Sequence, residues 1–303
     1  MTTATGLQPA SDPGPGTADE DAAFATRIAR RHPTRWLTAL VVLLITGLIV
    51  YAFATGDIEW SIVGEYFFDD TILEGVRNVI FMTILAMLFG VSLGIVVALM
   101  RLSANPVLRA TSNGFVWVFR GVPQIVQLLI WYNLALIVPY IYIPGIMDER
   151  TVDVMSPFIS ALLGLGLHQA AYASEIIRAG ILSVSRGQTE AAQALAMPRS
   201  LMLRRIILPQ AMRVIIPPMG NEFITMVKMT SLASVIQYTE LLYSAQTIYL
   251  VNNMVMELLF VVSLWYMVLV TVLSFGQHFL EQRFGRGFQT STPKAKAAKG
   301  RRN

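Results

Sequence analysis

The chain of 303 residues contains no cysteine, and only 14% of its residues are Asp, Glu, Lys or Arg. The lack of cysteine excludes disulfides, thiolate nucleophiles and cysteine-based metal sites. The small charged fraction accompanies 54% hydrophobic residues and a mean hydropathy of +0.57, which is too apolar for an ordinary soluble domain. The composition therefore indicates a polytopic membrane protein.

Groups for catalysis or metal binding are also scarce. The three histidines are His32, His168 and His278, and none belongs to an H-E-x-x-H zinc motif. No aspartate lies inside any of the long apolar segments. We therefore expect a chain that is not an enzyme, that holds no metal and that has no nucleic-acid partner.

Six apolar segments are long enough to cross a bilayer as helices, which takes about 18 residues or more. Their apolar runs are continuous rather than alternating, which favours helices over a barrel. The segments are roughly 36–54, 79–100, 122–142, 154–181, 214–236 and 257–275. We predict an all-α integral membrane protein with about six transmembrane helices. Pro217, Pro218 and Gly220 indicate either a broken fifth span or a simple kink.

Charged residues alternate between the two sets of loops. The basic set lies before span one, between spans two and three, between spans four and five, and after span six. The opposite loops carry mainly acids and only two basic residues, Arg77 and Arg150. By the positive-inside rule, both termini and the loop between spans four and five face the cytoplasm of a cell membrane, inner or plasma.

The loop between spans four and five has two parts. Residues 188–196 suit a short helix with Glu190 in its first turn, and its small side chains let another surface approach closely. Pro198 ends that helix, residues 199–207 form a second amphipathic piece, and Pro209 stops it. The loop is either a knob for a cytoplasmic partner or an interfacial loop whose arginines bind lipid phosphates.

These residues resemble the EAA loop of ABC importer permeases. Glu190-Ala191-Ala192, Ala196 and the run from Ile206 to Pro209 match EAA, three residues, Gly, nine residues and I-x-L-P. Ala196 replaces the usual Gly and loses the freedom to take a positive φ. Residues 120–129, 171–192 and 208–232 resemble the polar amino acid branch of the same family.

The resemblance implies an organisation and partners. Residues 70–285 would form the five-helix permease domain, and 31–56 an extra N-terminal transmembrane helix. Residues 1–30 and 286–303 are expected to be disordered cytoplasmic tails. Two ABC ATPase subunits would bind ATP, since this chain has no G-x-x-x-x-G-K-[ST] loop and no cofactor of its own. The other expected partners are a second permease copy, which is identical or a paralogue, an extracytoplasmic substrate-binding protein and membrane lipid.

The resemblance places ATPase coupling in the loop, and helical spacing indicates a transport pathway. The expected coupling residues are Gly187, Glu190, Ala191, Ala192, Ala196 and Pro209. The expected pathway residues share faces of spans four and five and are His168, Tyr172, Glu175, Asn221, Glu222, Thr225 and Lys228.

Each assignment has an alternative. The polar faces could instead form an internal network, with Glu175 paired to Arg178 at i+3. Two glutamates, Glu175 and Glu222, against one lysine, Lys228, favour a cationic or neutral polar amino acid. Gly90 and Gly94 form a G-x-x-x-G pattern for helix packing. The alternative function is a self-sufficient secondary transporter of a small polar solute.

Overall fold

The computed structural model describes residues 33–56, 58–145 and 147–284. The chain divides into two units, residues 1–58 and 59–303. The tails predicted for 1–30 and 286–303 lie outside the described residues. In the first unit, α1 (Pro33–Thr55) confirms the first predicted span, and Trp36–Thr55 has a mean hydropathy of 2.5.

The second unit is almost entirely helical. It begins with α2 (Trp60–Tyr66), α3 (Asp70–Leu102), α4 (Pro106–Gly121) and α5 (Gln124–Tyr132). A 3₁₀ turn (Leu134–Leu136), strands β1 (Tyr140–Ile143) and β2 (Met147–Arg150), and α6 (Thr151–Val154) follow. Next come α7 (Pro157–Leu182), α8 (Arg186–Ala194), α9 (Arg199–Met202) and a π-helical turn (Leu203–Ile207). The chain continues with α10 (Leu208–Met229), a 3₁₀ segment (Thr230–Ile236), α11 (Leu241–Asn252) and α12 (Val255–Phe284).

Length and apolarity identify three clear spans among the described residues. They are Trp36–Thr55, Asp70–Leu102 and Val255–Arg283, and the bent pair α4–α5 counts as a fourth if it forms one span. Helices α7 and α10, at about 1.5 Å per residue, are also long enough for a hydrocarbon core of about 30 Å. Each of these two helices has a polar face, so each is less apolar than the three clear spans. The protein is an all-α integral membrane protein, and the count of six spans stays a prediction.

The predicted third span, 122–142, is wrong. Its residues form the short helix α5, a 3₁₀ turn and the first strand of an antiparallel hairpin, which pairs Tyr140 with Arg150. The axis turns by 103° between α4 and α5. Pro123 forces this bend, because a residue before proline avoids the helical region, and Val122 is extended at φ −88°, ψ 132°. The buried Gln127 donates to the carbonyls of Phe119 and Val122, which satisfies carbonyls beside the break.

The fifth span is not broken at its prolines. The helix α10 passes through Pro217 and Pro218 without interruption. The side chain of Gln277 on α12 donates to the Pro217 carbonyl at 2.7 Å. A Cβ at Gly220 would overlap the Gln277 side chain, so this glycine permits close approach of α12 rather than a break. Of the two alternatives for Pro217 and Pro218, the structure excludes the broken span, and the bent helix pair is α4–α5 instead.

Helices α3 and α7 form the main packing contact of the second unit. Cβ atoms at Gly90 and Gly94 would lie 2.6 Å from the Cβ of Gln169 and 2.8 Å from that of Ala173. This confirms the packing role of the G-x-x-x-G pattern. The same five residues also read G-x-S-x-G, a hydrolase pattern, but Ser92 lies inside a continuous helix and not on a strand-to-helix turn.

Candidate functional site

The loop between α7 and α10 begins as the sequence predicts and ends differently. The first helix, predicted at 188–196, is α8 at Arg186–Ala194. The second piece is helical but does not stop at Pro209, because it runs into α10 through the π-helical turn. Leu208 N–H bonds to Leu203 O, five residues back, and the wider turn accommodates a proline that has no N–H to donate.

Ala196 ends α8 in a left-handed conformation, with φ +50°. The N–H of Met197 bonds to Ala192 O at 3.1 Å, and the N–H of Ala196 bonds to Gln193 O at 2.8 Å. These two bonds form a Schellman motif, which normally places glycine at the left-handed position. The turn geometry therefore survives at Ala196 although the sequence lacks the usual Gly.

The loop folds around a small core of its own. Ala192 is 2% exposed and packs with Met202 and Ile207. By contrast, Glu190 and Ala191 are exposed. The two alanines of the EAA pattern therefore differ: Ala192 holds the loop together, and Ala191 is free to meet another surface.

The remaining loop residues are at the surface. Gly187 is exposed, and a Cβ there would meet only the Ser185 hydroxyl, at 3.6 Å. Pro209 is exposed in the first turn of α10. Leu195, beside the Schellman turn, is 78% exposed.

Glu175 on α7 is surrounded by three arginines. Its carboxylate lies 2.7 Å from Arg101 on α3, 3.1 Å from Arg178 and 3.6 Å from Arg120 on α4. The pair with Arg178 is the i+3 alternative considered from the sequence. One carboxylate thus links three helices, and the cluster keeps an excess of positive charge.

Arg120 connects this cluster to the aromatic part of the α7 face. Its guanidinium carbon lies 4.9 Å from the centre of the Tyr172 ring, and that ring lies 4.8 Å from His168. His168 Nδ1 is 3.1 Å from the carbonyl oxygen of Phe119, next to Arg120. The structure therefore brings His168, Tyr172 and Glu175 together around one arginine.

The polar face of α10 is more open. Asn221, Thr225 and Lys228 are exposed, and Glu222 is half-buried.

Sequence reasoning missed the roles of Arg101 and Arg120, which it treated only as loop charges. Arg120 begins the sequence R-G-x-P at residues 120–123, just before the bend between α4 and α5. Its position beside this bend was the sequence signal that could have indicated its role. The charge argument for a cationic or neutral substrate omitted both arginines. The pathway assignment itself stays a prediction.

These features define a class: a polytopic helical membrane protein with a separately packed loop between two helices and a charged cluster beside a broken helix. The chain belongs to the family of binding-protein-dependent transport system inner membrane components, whose family model matches residues 90–286.

Two relatives are similar over most of the chain. The arginine transport system permease protein ArgU of Corynebacterium glutamicum is 40% identical over 91% of this chain and 87% of its own length. The L-cystine transport system permease protein TcyB of Bacillus subtilis is 39% identical over 76% of this chain and 92% of its own length.

Solved structures agree on the fold. An amino acid ABC transporter, crystallised with histidines, matches with a TM-score of 0.65 and 31% identity over 75% of this chain and 100% of that one. The MetNI methionine ABC transporter matches with a TM-score of 0.56 at 19% identity over 71% of this chain and 96% of that one, which concerns the fold alone.

Proposed function

We propose that this chain is the permease subunit of an ATP-driven amino acid importer. ATP is bound and hydrolysed on two ATPase subunits, and the permease carries no ATPase site. Two permease copies, identical or paralogous, form the pathway, and an extracytoplasmic binding protein delivers the substrate. The family membership and the amino acid transporters among the relatives support this proposal.

The observation that carries the coupling role is the folded loop. A loop that only connects two helices needs no buried hydrophobic cluster. In this loop, however, Ala192, Met202 and Ile207 are buried together. The Schellman turn at Ala196 fixes where α8 ends, and Ala192 of α8 packs against Ile207, which immediately precedes α10. Motion of an ATPase docked on Glu190 and Ala191 would therefore pass directly to α10.

The pathway lies between the polar faces of α7 and α10. An amino acid brings a carboxylate and an ammonium, and a cavity for it needs groups of both signs where water is scarce. Glu222 is the acidic group on the α10 face that no described arginine contacts within an ion-pair distance. We assign the ammonium, or a cationic side chain, to Glu222 and the carboxylate to Lys228 or Arg120.

The orientation of the chain in the membrane follows from the charges of its loops. The loop with α8 and α9 carries Arg186, Arg199, Arg204 and Arg205, and the hairpin side carries mainly acids. We place the loop and both termini in the cytoplasm and the β1–β2 hairpin on the opposite side.

The test compares the two alanines of the loop. Ala191→Trp adds bulk to an exposed position, so we expect loss of ATPase binding with an intact loop. Ala192→Trp overpacks the buried position, so the loop itself should open. Co-purification measures ATPase binding, and trypsin cleavage at Arg186 and Arg199 measures loop integrity.

Glu190→Lys is the charge test of the same surface and should act like Ala191→Trp. Normal ATPase binding by both Ala191→Trp and Glu190→Lys would contradict the coupling role. It would leave the loop as a connector and favour the secondary-transporter alternative.

A further inference from the structure

Helix α10 contains one turn in which two backbone hydrogen bonds cannot form. In an α-helix each carbonyl accepts from the N–H group four residues later, but Pro217 and Pro218 have no N–H group. The carbonyls of Arg213 and Val214 therefore lack their helical donors. Both residues also line a cavity of about 70 Å³, so this side of the turn is not fully packed. We call residues 213–218 the proline turn.

The first part of α10, up to Ile215, packs against α7. Ala211 and Ile215 share a buried cluster with Ile177 of α7. A Cβ atom at Gly180 of α7 would overlap the Ile215 side chain, so the two helices are in close contact there. The same part of α10 directly follows Ile207, which belongs to the buried cluster of the loop. The first part of α10 is therefore connected to the loop and to α7.

The second part of α10, after the proline turn, is supported by α12. Val227 shares a buried cluster with Leu258 and Val261 of α12. This second part also carries the polar face with Asn221 and Glu222. Helix α10 thus has two parts with different supports on either side of a turn that lacks two hydrogen bonds, which is the arrangement of a hinge.

Gln277 of α12 contacts α10 at the C-terminal end of the proline turn. Gln277 is 7% exposed, and its Nε2 donates to the Pro217 carbonyl at 2.7 Å and to Glu281 Oε1 at 3.0 Å. The two bonds use both hydrogens of the amide, which fixes its orientation. A Cβ atom at Gly220 would overlap the same amide, so the Gln277 side chain lies directly on the backbone of α10.

We propose that Gln277 is a positioning residue that anchors the second part of α10 to α12, so that α10 bends at the proline turn during transport. Movement of the loop then changes the angle between the two parts of α10, and the polar face with Asn221 and Glu222 keeps its place on α12. Gln277 acts through the Pro217 carbonyl and not through the solute. The proposal rests on the proposed function, because the loop receives its motion from an ATPase.

The main test compares uptake with ATP hydrolysis in proteoliposomes that contain the permease, its ATPase and its binding protein. The solute is the radiolabelled amino acid, from a panel, that the unaltered complex takes up fastest. Gln277→Leu removes both hydrogen bonds and keeps a side chain of similar size. We expect ATP hydrolysis to persist and the amount of amino acid taken up per ATP to fall about fivefold, the factor that one lost hydrogen bond gives.

Gly220→Ala is a second variant that keeps Gln277 but displaces its amide, because the added Cβ atom overlaps that amide. Alanine favours the helix, so this variant folds and should lower uptake per ATP like Gln277→Leu. Gln282→Leu is the matched control. Gln282 is exposed on the same helix, and its Nε2 lies 2.8 Å from Nε2 of His278 rather than on α10. Uptake per ATP should not change in this control.

Replacing both prolines by alanine tests the hinge itself. Pro217→Ala with Pro218→Ala restores two N–H donors for the carbonyls of Arg213 and Val214, so α10 becomes stiffer. We expect uptake and ATP hydrolysis to fall together, with a melting temperature no lower than that of the unaltered protein. Uptake at the unaltered rate would show that α10 does not bend at this turn.

Hydrogen exchange of the purified permease tests the anchor without any ATPase. The helical acceptor of the Asn221 N–H group is the Pro217 carbonyl, so this amide should exchange about fivefold faster in Gln277→Leu than in Gln282→Leu. If the unaltered permease bound no ATPase, that result would contradict the proposed function, and the exchange measurement would still decide whether Gln277 is an anchor.

Three results would overturn the proposal. One is equal exchange of the Asn221 amide in Gln277→Leu and Gln282→Leu. Another is unchanged uptake per ATP in Gln277→Leu. The third is an equal loss of uptake and ATP hydrolysis in Gln277→Leu, which would show that Gln277 only stabilises the fold.

Discussion

At the scale of single residues, Ala196 shows the cost of an L side chain in a glycine position. Its φ of +50° brings the Cβ close to its own backbone, at a cost of about 1 kcal/mol relative to glycine. The Schellman hydrogen bonds of Ala196 and Met197 offset that cost.

Ala196→Gly should therefore stabilise the loop by about 1 kcal/mol. Hydrogen exchange of the α8 amides measures this as roughly fivefold slower exchange. Ala194→Gly is the control, because Ala194 is an ordinary helical residue and glycine there should speed exchange. Faster exchange in Ala196→Gly would show that its backbone is not left-handed.

The carboxylate of Glu175 is the second residue-scale case. Removing its charge leaves Arg101, Arg120 and Arg178 close together without an anion. We expect Glu175→Gln to destabilise the protein by about 2 kcal/mol, less than a fully buried pair because the side chain is 26% exposed. Thermal unfolding in detergent measures this loss of stability.

The control for this change is Asp153→Asn, which removes an exposed ion pair with Arg150 and should cost about 0–1 kcal/mol. A melting temperature of Glu175→Gln equal to that of Asp153→Asn would deny the cluster a structural role. Only the pair with Arg178 could be predicted from spacing, since Arg101 and Arg120 come from distant helices.

At the scale of elements, the sequence predicts long continuous apolar helices well and an interrupted apolar run poorly. Spans one, two, four and six correspond to α1, α3, α7 and α12, because apolar runs of that length have few alternatives in a bilayer. The run 122–142 is also apolar, but Pro123 bends the chain at its start and the hairpin ends it. Hydropathy averages over such breaks and cannot detect them.

The two proline sites show why local rules were insufficient. At Pro123 the preceding residue is extended and the helix bends, but at Pro217 and Pro218 it continues. At the second site Gln277 from α12 binds the Pro217 carbonyl. This contact comes from a residue 60 positions away, and no sequence window around the prolines contains it.

Helix α11 provides an element-scale prediction about pH. Glu240 caps α11 by accepting from the N–H groups of Leu242 and Tyr243, and the Tyr266 hydroxyl donates to it at 2.9 Å. It lies outside the membrane-spanning segments, and burial raises its pKa from 4.5 to about 7. Between these two pKa values the folded protein binds a proton that the unfolded chain does not. Stability therefore falls as pH rises from about 4.5 to about 7.

We expect the Glu240 contribution to fall by about 2 kcal/mol between pH 5.5 and pH 8. Apparent melting temperatures at the two pH values measure it, and Glu240→Gln is compared with the unaltered protein to remove the contribution of other groups. If both proteins lose the same stability over this range, Glu240 does not titrate there.

At the scale of the whole molecule, the family was predictable from the sequence, because the EAA spacing and three further segments match over much of the chain. The organisation of the loop was not predictable to the same depth. Ala191 and Ala192 are identical in chemistry, and only the packing of Met202 and Ile207 distinguishes the buried one from the exposed one.

The proposed orientation can be tested on intact cells. Gln193 is exposed on α8. The chain has no cysteine, so a thiol introduced there would be the single labelling site. A thiol from Gln193→Cys should react with a membrane-impermeant maleimide only after the cells are opened, and bound ATPase should protect it. Labelling of intact cells would reverse the topology.

The most direct measurement of the central claim is solute uptake into proteoliposomes that contain the permease, its ATPase and its binding protein. A panel of radiolabelled amino acids is offered with internal ATP, and in parallel with a proton or sodium gradient and no ATP. The account predicts uptake of at least one amino acid that needs ATP and is lost in Ala191→Trp. Uptake driven by an ion gradient without ATP, and unaffected by Ala191→Trp, would contradict it.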